Sequence, residues 1–226
     1  MSDLFNIKDK TILVTGASSG FGQYMAELYA SRGANVVLCA RRQERLNQLK
    51  QKITSQYQVQ VHLYPLDVND RTAVKSMLDD LEQQHIFIDV LVNNAGIGAN
   101  NRFIDTTEEE WDAVLNTNLK APWMCSQEVV KYMIKHQVKG AIINISSVLS
   151  EGISLGVTPY CTSKAGLKHL TKVMSVELAR YGIRANAIAP GYMITEINEG
   201  YLTSEHGQKM LKNIPIRRFM EFSDFD

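Results

Sequence analysis

Tyr160 and Lys164 stand four residues apart in the stretch TPYCTSKAGLKHLT, Thr158–Thr171. On a helix this spacing sends both side chains from one face, one turn apart. A lysine beside a tyrosine is a way to run acid–base chemistry on a phenol near neutral pH. A free phenol titrates at about 10, and a cation within hydrogen-bonding range favours the phenolate. Lowering it by about three units takes roughly 4 kcal/mol of differential stabilisation. The same spacing arises wherever a tyrosine packs under a lysine stem, so the pair needs company. Ser146 and Ser147 end an apolar run, and Ser147 precedes Tyr160 by thirteen residues. A serine hydroxyl placed there can donate to a carbonyl oxygen that gathers negative charge. Asn118 interrupts an otherwise apolar helical stretch. It reads as a site residue, as a buried amide satisfied by backbone, or as a helix bend.

A second set of residues suits a nucleotide. The run GASSGFG places glycines at 16, 20 and 22, after a strand-like segment and before a helical one. Such glycines let backbone approach a pyrophosphate, and the helix that follows offers its amide groups. The second strand-like run ends in Cys39-Ala40-Arg41-Arg42. No carboxylate precedes Glu44 to accept the ribose 2′-hydroxyl of NAD(H), whereas arginines suit a 2′-phosphate through charge-assisted hydrogen bonds. This favours NADP(H) and leaves NAD(H) possible; two arginines on a solvated helix start is the other reading. Asp67 either accepts from an adenine amino group or caps its turn. The amides and glycine of Asn93–Gly96 either line a ribose or fix a turn.

Short β-branched and apolar runs predict strands at Thr11–Val14, Asn35–Cys39, Val59–Pro65, Ile88–Val92, Ala141–Ile145 and Ile183–Ala189. Helical periodicity fills Tyr24–Ser31, Arg42–Gln56, Asp70–His85 and Thr158–Arg180, with a polar helical stretch at Ser204–Lys212. A capping box at Thr107 and Glu110 opens a long helix through Trp111 and Val130, in which Pro122 marks a kink or a break. Alternation at βαβ spacing predicts an α/β fold: a doubly wound, Rossmann-like parallel sheet of six strands with helices on both faces. With no linker or repeat, residues 1–226 read as one domain. The residues singled out above collect at the carboxyl ends of the strands, where such sheets bind ligands.

Composition narrows the partners. Lys plus Arg is 24 and Asp plus Glu is 24, so nothing favours nucleic acid or an acidic membrane. The opening MSDLFNIKDK lacks the pattern of a signal peptide, and no apolar run reaches the length of a membrane span. The cysteines, Cys39, Cys125 and Cys161, are odd in number and sparse, which fits a reducing cytoplasm. Cys161 reads as a packing residue. The histidines have no metal-ligand spacing, so no metal is expected.

With these residues in hand, the chain resembles the short-chain dehydrogenase/reductase family from Lys8 to about Pro215. The likeness rests on TGASSGFG at Thr15–Gly22, Asp67-Val68, NNAG at Asn93–Gly96, Asn118 in NTNLKAP, Ser147 in INISS, YCTSK at Tyr160–Lys164 and PGYMIT at Pro190–Thr195. It implies a catalytic set of Asn118, Ser147, Tyr160 and Lys164. Ser147 is preferred to Ser146 because the family usually places its serine thirteen before the tyrosine. The resemblance implies cofactor contacts from Gly16, Ser18, Ser19, Gly20, Phe21, Gly22, Arg41, Arg42, Asp67, Val68, Asn94, Ala95, Gly96, Tyr160, Lys164, Pro190, Gly191, Met193 and Thr195. In the implied mechanism Tyr160 exchanges a proton with the substrate oxygen, and Ser147 binds that oxygen. Lys164 lowers the tyrosine and holds the nicotinamide ribose, while Asn118 supports a water chain to Lys164.

The implied substrates are small carbonyls or secondary alcohols: a 3-oxoacyl thioester, a sugar acid or a polyol. Ile97-Gly98, Leu149, Val157 and the Tyr192–Lys212 segment are expected to wall the substrate. Tyr192, Met193 and Ile194 suit an acyl or steroid-like group, and Asn100-Asn101-Arg102 an acid. The family's use of its long helices implies a homodimer or homotetramer through Trp111–Lys135 and Thr158–Arg180. One departure stands out. Family members usually continue with a further helix and a seventh strand, whereas this sequence stops at Phe222–Asp226; if nothing follows, the sixth strand is an exposed edge, and the expectation is either a truncated form or a partner that covers it. That departure motivates a rival expectation, a cofactor-binding member without useful catalysis that acts through partners. The intact Ser–Tyr–Lys–Asn set argues against it.

Overall fold

The computed structural model describes residues 6–98, 100–196 and 198–225. Positions 1–5, Ile197 and Asp226, which fall in the opening segment, the expected Tyr192–Lys212 wall and the last residues, lie outside the described residues, as does Ala99. Strands and helices alternate: β1 Thr11–Thr15, α1 Gly20–Ser31, β2 Asn35–Ala40, α2 Gln43–Gln56, β3 Val61–Pro65, α3 Arg71–Gln83, β4 Val90–Asn93 and α4 Glu108–Leu115. After a π-helical turn, Asn116–Lys120, come α5 Ala121–Lys135, β5 Ala141–Ile145, α6 Thr158–Leu178 and β6 Arg184–Ile188. Two short helices follow, α7 Glu199–Leu202 and α8 Glu205–Met210. The strands form one parallel sheet in the order β3-β2-β1-β4-β5-β6. The winding reverses between β1 and β4.

Near-continuous apolar strands follow from burial on both faces. Leu13 of β1 packs with Met77, Leu81, Val129 and Met133 of α3 and α5. Its neighbours Ile12 and Val14 point the other way, onto Met25, Ala26, Leu46 and Ile53 of α1 and α2.

Element limits differ from the sequence reading where local chemistry outweighs hydrophobic pattern. Helix α1 begins at Gly20, inside the glycine run, because tertiary context overrides the poor helix propensity of glycine. Strand β4 starts two residues later than expected because Asp89 is occupied with β1: its carboxylate accepts from Thr11 N at 2.9 Å and from Lys10 Nζ at 2.9 Å. Helix α6 stops at Leu178, and the 3₁₀ turn Ala179–Tyr181 closes on Gly182 at φ 72°. The capping box forms by half. Thr107 Oγ1 accepts from Glu110 N at 3.2 Å, but the Glu110 carboxylate turns to Asn100 N and Asn101 Nδ2. Pro122 neither breaks nor ends the helix. It sits early in α5, just after the π turn. Having no N–H, it cannot give Asn118 O its α-helical bond, and the wider turn absorbs that defect.

Candidate active site

Where β1 and β4 part, Thr15 fastens them together. Its hydroxyl accepts from Asn94 N at 3.0 Å and Ala95 N at 3.1 Å. The Asn94 side chain donates to Thr15 O at 3.0 Å and Gly16 O at 3.2 Å. The sequence left Asn94 open between ribose lining and turn fixing; its amide fixes the glycine turn. Gly16 adopts φ +66°, where side chains are strained, and its fold-back brings it against Ala95.

A cavity of about 1410 Å³ runs along the strand ends from Arg41 and Arg42, over the glycine turn, to Tyr160, Tyr192 and Leu202. At its nucleotide end α1 points its first turn into the space through Gly20 and Phe21. The N-cap Ser19 does not cap this helix: its hydroxyl accepts from Arg42 Nη2 at 2.5 Å. With no side-chain cap and no acid in the first turn, the amide groups of α1 face the cavity, as phosphate binding requires. Arg42 also donates from Nε to Ser18 Oγ at 3.2 Å.

At the other end, α6 carries Tyr160 and Lys164 on one face, and β5 delivers Ser147. The two adjacent serines differ in their hydrogen bonds. Both border the cavity, but Ser146 spends its hydrogen on Lys164 O at 3.1 Å, which leaves Ser147 as the serine free to donate into it. Ser147 Oγ accepts from Leu149 N at 3.1 Å, so its hydrogen remains to donate. It neighbours the Tyr160 phenol closely enough to favour the phenolate. Lys164 is buried, and its Nζ donates to Ile145 O at 2.8 Å. Burial pushes its ammonium down to about 8. The phenol of Tyr160 is raised by burial, against a downward pull from Ser147 and with a further upward push from Cys161. This corrects the expectation that Lys164 lowers the tyrosine. Lys164 Nζ lies 5.5 Å from the ring centroid and spends its bond on Ile145 O, so burial governs the phenol.

Asn118 has no exposure at all. From the π turn its side chain pairs with the backbone of Ile97, accepting from N and donating to O, each at 2.9 Å. It also donates to Ser163 Oγ at 3.3 Å, which donates to Tyr160 O at 2.7 Å. It is thus the buried, backbone-satisfied amide that one reading of the sequence offered, and it stands behind the site wall between Gly96 and α6.

Residues 10–206 match the family model described as short chain dehydrogenase. The chain belongs to the short-chain dehydrogenase family. It is an oxidoreductase of the kind that works with a nicotinamide cofactor. Over 213 residues it is 40% identical to the 3-oxoacyl-(acyl-carrier-protein) reductase of Thermotoga maritima, covering 94% of this chain and 85% of that protein. It is 36% identical to the 5-keto-D-gluconate 5-reductase of Escherichia coli, covering 91% of this chain and 80% of the relative. Among solved structures, the gluconate 5-dehydrogenase of Burkholderia cenocepacia in complex with NADP and tartrate superposes with a TM-score of 0.91 at 31% identity, covering 98% of this chain and 87% of the other.

Of the residues assigned by resemblance to this short-chain dehydrogenase, all but two line the one cavity. The exceptions are Asn118, which lies behind the wall, and Gly22. A Cβ on Gly22 would lie 2.3 Å from Asn94 Nδ2 and 2.4 Å from Gly16 O, so this glycine lets α1 pack on the turn and touches no ligand space. Gly22→Ala is expected to destabilise the fold by about 2–3 kcal/mol through this overpacking, read as a fall in Tm; an unchanged Tm would refute the packing role. Asp67 lines the cavity yet also closes its own turn, its Oδ1 accepting from Asn69 N at 2.9 Å. Of the acid-binding candidates, Asn101 is engaged by Glu110. Sequence reasoning missed a buried polar chain: Asn93 Nδ2 bonds Ser126 Oγ and Asn144 Oδ1, and Asn144 Nδ2 bonds Thr171 Oγ1. It locks β4, β5 and α6 in the register that brings Ser147 to Tyr160. The four residues share no sequence spacing. Only their polarity within apolar runs gave a signal.

Proposed function

We propose that the chain reduces a carbonyl to a secondary alcohol, or the reverse, with NADP(H) preferred to NAD(H). The observation that carries this reading is one cavity with two chemically distinct ends. Arg42, Ser18 and Ser19 stand at the first, and Ser147, Tyr160 and Lys164 at the second. The uncapped amides of α1 and the glycine turn between them fit a pyrophosphate. The chemistry a bound nicotinamide supplies there is hydride transfer. Tyr160, kept protonated by burial, gives its proton to the substrate oxygen during reduction. Ser147 donates its remaining hydrogen to the same oxygen. Lys164 would hold positive charge beneath the tyrosine and bind the ribose hydroxyls, and Asn118 would support the wall and the proton path behind it; the burial of Lys164 at the cavity and the Asn118–Ile97 bonds support this reading.

For the substrate we propose a 3-oxoacyl thioester or a sugar acid, the substrates named for two relatives. Ile97, Leu149, Leu155, Val157, Tyr192 and Leu202 support an apolar wall for such a group. We also propose that the chain self-associates as a dimer or tetramer. Trp123, 42% exposed on α5, and Val176, 78% exposed on α6, support this reading. Three unpaired thiols support a reducing, cytoplasmic setting. Among the described residues no helix is long and apolar enough to cross a membrane.

Fluorescence titration with NADPH and NADH, followed by turnover on 3-oxoacyl thioesters and keto-sugar acids, tests the function. Binding without turnover on any carbonyl or alcohol would overturn it. Arg42→Gln is expected to weaken NADPH binding about tenfold and to leave NADH binding within about twofold, because one charge-assisted phosphate contact contributes on this scale. Equal losses for both cofactors would remove Arg42 from the 2′-phosphate site.

A further inference from the structure

The end of β2 has arginines where a ribose-binding carboxylate would stand, but the folded chain brings a carboxylate to the same corner. Glu196, on the segment after β6, lies 154 residues from Arg42 in sequence and accepts from its Nη1 at 3.1 Å. Its other oxygen pairs with Arg45 Nη1, a full helical turn further into α2 than the two arginines read from sequence. Glu196 lines the cavity, with about half of its side chain exposed. It is not placed by the ion pair alone. Thr195, next to it, packs over Gly20 of the nucleotide turn, 3.8 Å from where a Cβ would stand. Asn198 braces that segment, accepting from Thr195 N and donating to Met193 O, each at 2.9 Å.

Arg42 is therefore spent on Ser18, Ser19 and Glu196. A 2′-phosphate that docks on Arg42 must share Nη1 with a carboxylate or displace it. Two guanidinium groups cannot neutralise a phosphate of about −2 together with a carboxylate of −1, so the two anions repel. A 2′-hydroxyl carries no charge and can donate to the carboxylate. The two arginines also keep the Glu196 carboxyl below its usual range, so it is ionised at neutral pH.

We propose that Glu196 is a cofactor-discriminating residue, which occupies on Arg42 the seat of the 2′-phosphate, weakens NADP(H) and admits NAD(H). The inference rests on the reading of Arg42 as the 2′-phosphate ligand. The test is equilibrium titration of the wild-type chain and Glu196→Gln with NADPH and NADH, each alone and in the Arg42→Gln background. The expected result for Glu196→Gln is an NADPH affinity about fivefold higher, with NADH affinity unchanged or lower, so that the preference ratio rises at least about fivefold. In the Arg42→Gln background the rise should shrink, because competition for the Arg42 seat is gone and only the direct repulsion of the two anions remains. Equal changes for both cofactors would make Glu196 a loop residue only and overturn the proposal, as would no change for either. If Arg42→Gln alone spares NADPH binding, the 2′-phosphate assignment fails and the proposal with it. A wild-type chain that binds neither cofactor overturns the proposed function itself.

Discussion

Tyr160→Phe is expected to lower carbonyl turnover by about a thousandfold or more while leaving NADPH affinity and Tm close to wild type. The phenol lines the cavity beside Ser147, and burial holds it protonated. Ser147 can donate a hydrogen bond, but a serine hydroxyl is too weak an acid to surrender its proton. Lys164 Nζ is buried and bonded to Ile145 O. Removing the hydroxyl leaves the ring, and with it the packing under Lys164. The loss of the Ser147 interaction costs about 1 kcal/mol or less, because the serine hydroxyl can turn to the cavity. A large fall in kcat with an unmoved melting curve therefore isolates the proton transfer. Turnover within about tenfold of wild type would sink the role of Tyr160 and return attention to Ser147.

The fold was legible because its strands are buried on both faces and its helices carry clear apolar stripes. Six runs of β-branched residues and their spacing were enough to give a doubly wound parallel sheet. Tyr160 and Lys164 were legible for the same reason: a spacing of four survives folding on any helix. Other features depend on long-range geometry and had no local signal. The π turn at Asn116–Lys120 turns Asn118 toward Ile97, and an α-helical reading does not contain that rotation. The effect of Lys164 on Tyr160 was misjudged because spacing reports a shared face and says nothing of desolvation. With Lys164 buried against β5 and Tyr160 half-buried beside it, both groups answer to lost water before they answer to each other. Glu196 was invisible at the nucleotide corner because it lies on an irregular segment, and only the folded chain joins it to Arg42.

The same desolvation gives a second large effect. Lys164→Met is expected to lose turnover by at least about a hundredfold and, at neutral pH, to gain stability. In the folded chain the ammonium is pushed from an ordinary value of 10.5 down to about 8. Below pH 8 both folded and unfolded chains carry the proton, and the wild type bears the full cost of burying it. That cost is about 3 kcal/mol from the size of the shift. Between pH 8 and 10.5 the unfolded chain still holds the proton while the folded one releases it, so wild-type stability climbs with pH and the cost is gone above 10.5. Methionine has no such dependence, but it abandons Ile145 O, which loses a 2.8 Å bond and costs about 1–2 kcal/mol at any pH. The variant should therefore be the more stable by about 1–2 kcal/mol at pH 7, lose that advantage as pH rises from 8, and become the less stable near pH 10.5. Urea denaturation at pH 7 and at pH 10 reads this crossing directly. A difference that stays constant between the two would mean that Lys164 is not desolvated as its burial requires. A crossing would mean that the wild-type chain keeps here a lysine that weakens its fold at neutral pH, where the cavity uses a cation.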